Sequence, residues 1–204
     1  RGAAWPRLVH FQDEEGRWQE YDNTLIDTGA EDDEEGELTV RKSDQDIRLS
    51  KKAKKSKMIT VSSAKGSLSW GYMDAGKSVL ELTKQKELTE EAGSVQTEEE
   101  RVEKANNRKL MQSKTAQEGW YRELYRGVDL QVLVTSLGVK ENLILKQAGT
   151  RTSFDVAYKT EGLTAEQTDR QTVTLRDENG EAVNTLSAPM RSDGAGARST
   201  GVTL

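Results

Sequence analysis

Along the first 83 residues, short runs of alternating apolar and polar positions recur, each ended by a charged or glycine-containing break. RLVHF, QDEEG and RWQEY read as strand, turn and strand, with Gly16 able to supply the positive φ of a tight turn. ELTV, DIRLS, KMITVSS and GSLSWGYM follow. In the last of these, Leu68, Trp70 and Tyr72 alternate with Ser67, Ser69 and Gly71, which places three large apolar side chains on one face of a half-buried antiparallel strand. A second block opens near Trp120. DLQVLVTSLGVKENLILK reads as two strands about a turn at Gly138, with Leu130, Val132 and Val134 on one face and Val139, Glu141, Leu143 and Leu145 lining one side of the return. SFDVAYK adds a strand through Phe154, Val156 and Tyr158, and in TVTLRDENGEAV the pair Asn179 and Gly180 predicts a type I′ hairpin turn. Many short strands with turn signals between them predict an all-β fold, an antiparallel β-sandwich-like module, rather than parallel βαβ units.

Residues 84 to 118 break this rhythm. Glu, Lys, Gln, Asn and Arg dominate, and Leu88, Val95, Val102, Leu110 and Met111 are the only sizeable apolar positions. Thr97 with Glu100 fits a capping box and Glu100 with Lys104 a helical ion pair, so a charged helical or disordered insert is expected. The apolar stripe is too thin for a coiled coil. The organisation read from the chain is thus a β-strand block over 1–83, the insert over 84–118 and a second β-strand block over 119–204, the two blocks packing as one domain.

Composition narrows the function more than the fold. The hydrophobic fraction is 33% and no run nears the ~20 apolar residues that span a bilayer, so no membrane insertion is expected in this segment. The net charge of -5 hides an asymmetry: Asp27 to Glu37 carries seven acids and no base, and Lys51 to Lys57 carries five lysines and no acid. The lysine run is not interleaved with aromatics as a phosphate-tracking surface would be, so no nucleic acid is expected as a partner. Both runs read as solvated loops that attract each other weakly. Calcium binding by Glu31, Asp32, Asp33 and Glu35 is the sharper alternative, but the alternating spacing of a dedicated calcium loop is missing. Cysteine is absent and His10 is the one histidine, which leaves no thiolate chemistry, no zinc site of nitrogen and sulfur ligands, and a strand histidine in place of a Ser-His-Asp relay. No cofactor is expected. The acids read as a solvated face. The chain opens on Arg1 and stops inside the strand-like GVTL, which we read as a segment of a longer protein.

One motif argues for chemistry. GYMDAGKS, residues 71 to 78, fits GxxxxGK[ST], in which Gly71 and Gly76 would shape a phosphate loop, Lys77 would meet the β and γ phosphates, and Ser78 would bind magnesium. Such a loop joins a buried parallel strand to a helix N-terminus. The strand before Gly71 alternates instead of being apolar throughout, and no later apolar run ends in an Asp that could support the metal. The element after Ser78, VLELTKQKELTEE, reads as helical and favours the motif. The balance predicts a hairpin turn, with nucleotide binding as the runner-up.

Three strings, taken together, resemble a known family. LVHFQDEEGRWQEYDNTL is similar to the "hy.De.G.W..iDNtL" opening of large surface or secreted RHS/YD-repeat proteins of Gram-positive bacteria. YRELYRGVDLQVLVTSLGVKENLILK resembles their "Y.nvy.gvDlqY.v...gvKEniil" segment, and LRDENGEAVNTLSAPMRSDGAG their "l.d..G..v..ipaP.m.Da.G" close. The likeness runs in order from Leu8 to about Gly196 and skips the charged insert. Val132 stands where an aromatic is frequent, and Arg191 and Ser192 replace the usual residues after SAPM. The resemblance implies a noncatalytic scaffold module of a polymorphic-toxin-like exported protein, extracellular or at the cell surface, whose partners are other domains of the same longer chain. It also implies that Lys77 and Ser78 begin the return strand of a hairpin. A second class is a glycan- or protein-binding sandwich using Trp5, Trp18 or Trp120 if exposed, against core packing as the ordinary role of a tryptophan.

Overall fold

The computed structural model describes residues 10–29, 36–83, 116–151 and 153–202. Those residues form seventeen strands arranged in antiparallel sheets, with no helix among them. Six strands make the largest sheet, in the order β12 (Val156–Glu161), β7 (Gly66–Tyr72), β6 (Ile59–Ser63), β5 (Asp46–Ser50), β4 (Glu37–Lys42) and β3 (Asp22–Asp27). Four more are ordered β11 (Gly138–Leu145), β10 (Val128–Thr135), β9 (Ala116–Tyr125) and β8 (Leu80–Leu82). Both sheets mix strands from either side of residues 84–115. β12 pairs with β7 in the first, with Tyr158 opposite Trp70, and β8 pairs with β9 in the second, with Leu80 opposite Tyr121. The expected charged insert, with its Thr97 and Glu100 capping box, lies outside the described residues up to position 115; Ala116–Glu118, counted within it from composition, belong to β9.

Alternation decides which side chains are buried. On the six-stranded sheet Leu68, Trp70, Tyr72, Ile59, Val61, Ile47, Leu49, Val40 and Leu25 are buried, and on the four-stranded sheet Tyr121, Val128, Leu130, Val132 and Val134; all belong to one apolar cluster. A directly opposed pair shares a face, so Val139, Glu141, Leu143 and Leu145 of β11 lie on the side of Val134, Val132, Leu130 and Val128. A third sheet, β13 (Thr164–Gln167), β14 (Val173–Arg176) and β15 (Ala182–Leu186), contributes Leu175 to that cluster. It is tied to the β6–β7 turn by Lys65, 2.6 Å from Glu181 and 3.4 Å from Asp177.

Three hairpins close on the same turn. Two were expected, joining β1 (His10–Gln12) to β2 (Trp18–Glu20) and β14 to β15, and a third joins β16 (Arg191–Ser192) to β17 (Arg198–Ser199). In each an aspartate, Asp13, Asp177 or Asp193, accepts on its carbonyl the N–H of a glycine three residues on, and its Oδ1 accepts from two further backbone N–H groups. Gly16, Gly180 and Gly196 carry φ of 76°, 80° and 86°. Asn179 is not among the residues with positive φ, so the type I′ turn expected from Asn179-Gly180 is replaced by a longer turn with only its glycine left-handed. The Asp177 side chain satisfies the turn amides and removes the need for a second left-handed residue.

Candidate functional site

The stretch singled out by its motif is a connection between sheets. Gly71 and Tyr72 end β7 in the six-stranded sheet, and β8 after Ser78 joins the four-stranded one, so neither the expected hairpin nor a strand-to-helix junction forms here. Lys77 and Ser78 do not begin a return strand beside β7. The segment threads between two others: Tyr72 N–H donates to Lys54 O at 3.1 Å, Met73 N–H to Asp155 O at 2.9 Å, Gly76 N–H to Leu124 O at 2.7 Å and Ser78 N–H to Gly76 O at 2.9 Å. A phosphate cradle needs such N–H groups turned towards the ligand. Ser78 is buried, and its Oγ donates to Arg122 O at 2.6 Å. Lys77 is exposed. Gly71 is a packing glycine, since a Cβ there would lie 2.4 Å from Lys54 O and 2.6 Å from Ser56 N.

Among the described residues the sequence candidates stay apart. His10 is exposed on β1 opposite Glu20. Trp18 is 70% exposed, contrary to the ordinary core role, whereas Trp70 is buried. Trp120 is half-buried on the outer face of the four-stranded sheet, with the Arg122 guanidinium 3.9 Å from its ring centre and its Nε1 donating to Thr83 Oγ1. Trp5 and the acids Glu31, Asp32, Asp33 and Glu35 lie outside the described residues. At the foot of the acidic run Asp27 meets Lys51 of the basic run at 2.5 Å. No group of three or more His, Asp or Glu side chains disposed to hold a metal occurs among the described residues, and no helix there is long and apolar enough to cross a membrane.

Several carboxylates depart from the solvated face expected of the acids, with Asp22, Asp129 and Asp177 buried and Glu141 half-buried, and two of them contrast. Asp129 is buried, and it takes hydrogen bonds from Glu123 N–H at 2.7 Å, Lys146 Nζ at 2.8 Å and Arg122 at 3.0 Å. Burial pushes its pKa up, but Lys146, the Glu123 N–H and Arg122 together outweigh that and hold it below the usual aspartate value. Glu141 has no such company. Its Oε2 accepts from Trp70 Nε1 at 2.9 Å and its Oε1 from Tyr72 Oη at 3.1 Å, both from β7 of the six-stranded sheet. Burial dominates over these two hydrogen bonds and pushes its pKa up to about 7. The signal was present in the sequence, since Glu141 falls in step with Val139, Leu143 and Leu145 on an apolar face.

A groove of about 470 Å³ lies between the β1–β2 hairpin and the β4–β5 turn. Phe11 and Val40 give it an apolar floor, and Asp13, Arg17, Arg41 and Lys42 give it charge of both signs. Arg17 is engaged by Asp13 and Glu15, and Arg41 lies 3.5 Å from Asp22. Such a lining can hold a polar extended ligand, but it brings together no nucleophile and base. No protein-family model, curated protein or solved structure matches this chain.

Proposed function

We propose that this chain is a noncatalytic structural module in which the six- and four-stranded sheets pack face to face as a sandwich. It supports repeat and effector domains elsewhere in a longer, exported protein of the RHS/YD-repeat type, at the cell surface or outside the cell. The observation that carries the reading is the interlock of the two sequence blocks. β8 is delivered to β9 and β12 to β7, and polar side chains tie the parts together: Tyr121 Oη donates to Ser50 O and Tyr125 Oη to Met73 O, each at 2.6 Å. These two hydroxyls are engaged in fixing shape. A protease site placed within residues 84–115 tests the interlock: the cleaved halves should co-elute on gel filtration, and their separation would overturn it. The full reading frame tests the context, which requires YD repeats beyond this segment.

The groove favours a second reading, a glycan- or protein-binding sandwich. Phe11 would offer a ring to a sugar or an apolar side chain, and the exposed Trp18 lies on the same hairpin. Retention on a polysaccharide gel that is lost in Phe11→Ala or Trp18→Ala would support it; mobility unchanged by polysaccharide would remove the glycan form.

A further inference from the structure

The outer face of the four-stranded sheet carries one row of side chains across all of its strands. Glu81 of β8 lies opposite Trp120 of β9, Trp120 opposite Gln131 of β10, and Gln131 opposite Asn142 of β11. Directly opposed residues share a face, so the row offers a polar or aromatic group at every step from strand to strand. Glu118, Leu133 and Lys140 form the next row of the same face. Its planar groups are fixed in place. Asn142 Nδ2 donates to Gln131 Oε1 at 2.8 Å, and Gln131 Nε2 donates to Glu118 Oε1 at 2.6 Å. That relay leaves Asn142 Oδ1, Glu118 Oε2 and one N–H on each amide without a partner among the described residues. Trp120 donates from Nε1 to Thr83 Oγ1 at 3.1 Å and is braced by the Arg122 guanidinium 3.9 Å from its ring centre, which Asp129 holds in turn at 3.0 Å. The ring is half-buried, so part of it stays open to solvent. The charges of this face are mostly matched: Asp129 and Glu123 take up Arg122 and Lys146, and Lys140 offsets Glu118 in its own row.

We propose that this face binds a neutral, extended β-linked polysaccharide laid across the strands, one sugar to a strand. Sugar hydroxyls both donate and accept, and the open amide N–H groups, amide oxygen and carboxylate oxygen of the relay answer both needs. The C–H face of a sugar ring covers an indole. Neighbouring strands stand about 4.8 Å apart, close to the rise per residue of an extended β-linked chain. Matched charge gives an anionic glycan no advantage over a neutral one. Side chains already ordered by one another lose little freedom on binding. The proposal rests on the glycan form of the second reading for its ligand class and places that ligand on a different surface from the groove at Phe11.

Nuclear magnetic resonance of the whole chain, titrated with cellohexaose and xylohexaose beside the anionic hexagalacturonate, tests it. Saturable shifts should gather at the Trp120 indole N–H, the Gln131 and Asn142 side-chain amides and the backbone around them, with the anion binding more weakly. Trp120→Ala should weaken binding roughly tenfold and Asn142→Ala roughly threefold, while Phe11→Ala and Trp18→Ala leave it unchanged. Binding that survives Trp120→Ala and is lost in Phe11→Ala or Trp18→Ala would overturn this face and keep the groove. No shifts with either neutral sugar at millimolar concentration would overturn both glycan sites. Tighter binding of hexagalacturonate, or shifts at these residues on raising the protein concentration alone, which mark a second copy on the face, would also overturn it. Should Trp120→Ala fail to fold, the wild-type shift map and Asn142→Ala decide the matter.

Discussion

Replacing Gly71 by alanine separates the two meanings of GYMDAGKS. The added Cβ would lie 2.4, 2.6 and 2.7 Å from Lys54 O, Ser56 N and Lys55 C, all backbone atoms that cannot turn aside as a side chain can. The 54–57 loop must therefore move, and with it the hydrogen bond from Tyr72 N–H to Lys54 O. Overpacking of this kind costs about 1–3 kcal/mol. A lost backbone hydrogen bond adds about 1 kcal/mol. Lys55, Ser56 and Lys57 are exposed and leave the loop some room to yield, so the expected loss is about 2–4 kcal/mol. For a chain of this size that is a fall in Tm of roughly 5–15 °C.

The assay is thermal and urea unfolding of Gly71→Ala beside Lys77→Ala and Gly194→Ala. Lys77 is exposed, and a Cβ at Gly194 meets nothing within 4 Å, so both controls should stay within about 0.5 kcal/mol of the parent. A phosphate loop gives the opposite pattern, with Lys77→Ala removing magnesium-dependent ATP or GTP affinity. Stability of Gly71→Ala within about 0.5 kcal/mol of the parent would refute the packing argument. Millimolar nucleotide binding that depends on Lys77 would refute the reading of the segment as a plain connection.

Three further outcomes follow from the same geometry. Tyr121→Phe, at a fully buried residue, should cost about 1–2 kcal/mol in urea unfolding, because Ser50 O loses the 2.6 Å hydrogen bond that ties β9 to the six-stranded sheet. Asp129 has a folded pKa below its unfolded one, so the stability it supplies is present above the unfolded value and lost as pH falls through the folded one. The unfolding free energy of Asp129→Asn should accordingly change less than that of the parent on acidification below about pH 4. Gly180→Ala, forcing a side chain into a φ of 80°, should cost about 1 kcal/mol, while Asn179→Ala should cost far less because that residue does not carry positive φ.

The strands were legible where one face is buried. Leu68, Trp70 and Tyr72 are all inside, as are Leu130, Val132 and Val134, because a period of two sets the apolar face, although Ser69 and Gly71 are buried as well, so β7 is not the half-buried strand expected. Pairing was not legible. Nothing in GSLSWGYM or SFDVAYK says that Trp70 will lie opposite Tyr158, since alternation selects a face and not a neighbour. The same ignorance produced the expectation of a hairpin at 71–78, where local turn signals are identical whether the chain folds back or crosses to another sheet. The sequence does carry one repeated cue: DEEG, DENG and DGAG share an aspartate three residues before a glycine, and all three close hairpins in the same way.

Glu141 shows how an unusual carboxylate is easily read as an ordinary one. With 35 acids in the chain, an acid in a strand reads by default as a solvated one, and only its register with Val139 and Leu143 marks it out. Register specifies the face but not what lies opposite, and the meaning of a carboxylate on an apolar face depends on that. Asp129 is buried on the other face of the same sheet and meets Lys146, Arg122 and a backbone N–H, so its charge is favoured. Glu141 meets an indole N–H and a phenol, so its charge is disfavoured. Those donors come from β7, about seventy residues earlier in the chain. Opposite shifts of two acids in adjoining hairpin strands therefore arise from the face each takes and from what the fold sets against it.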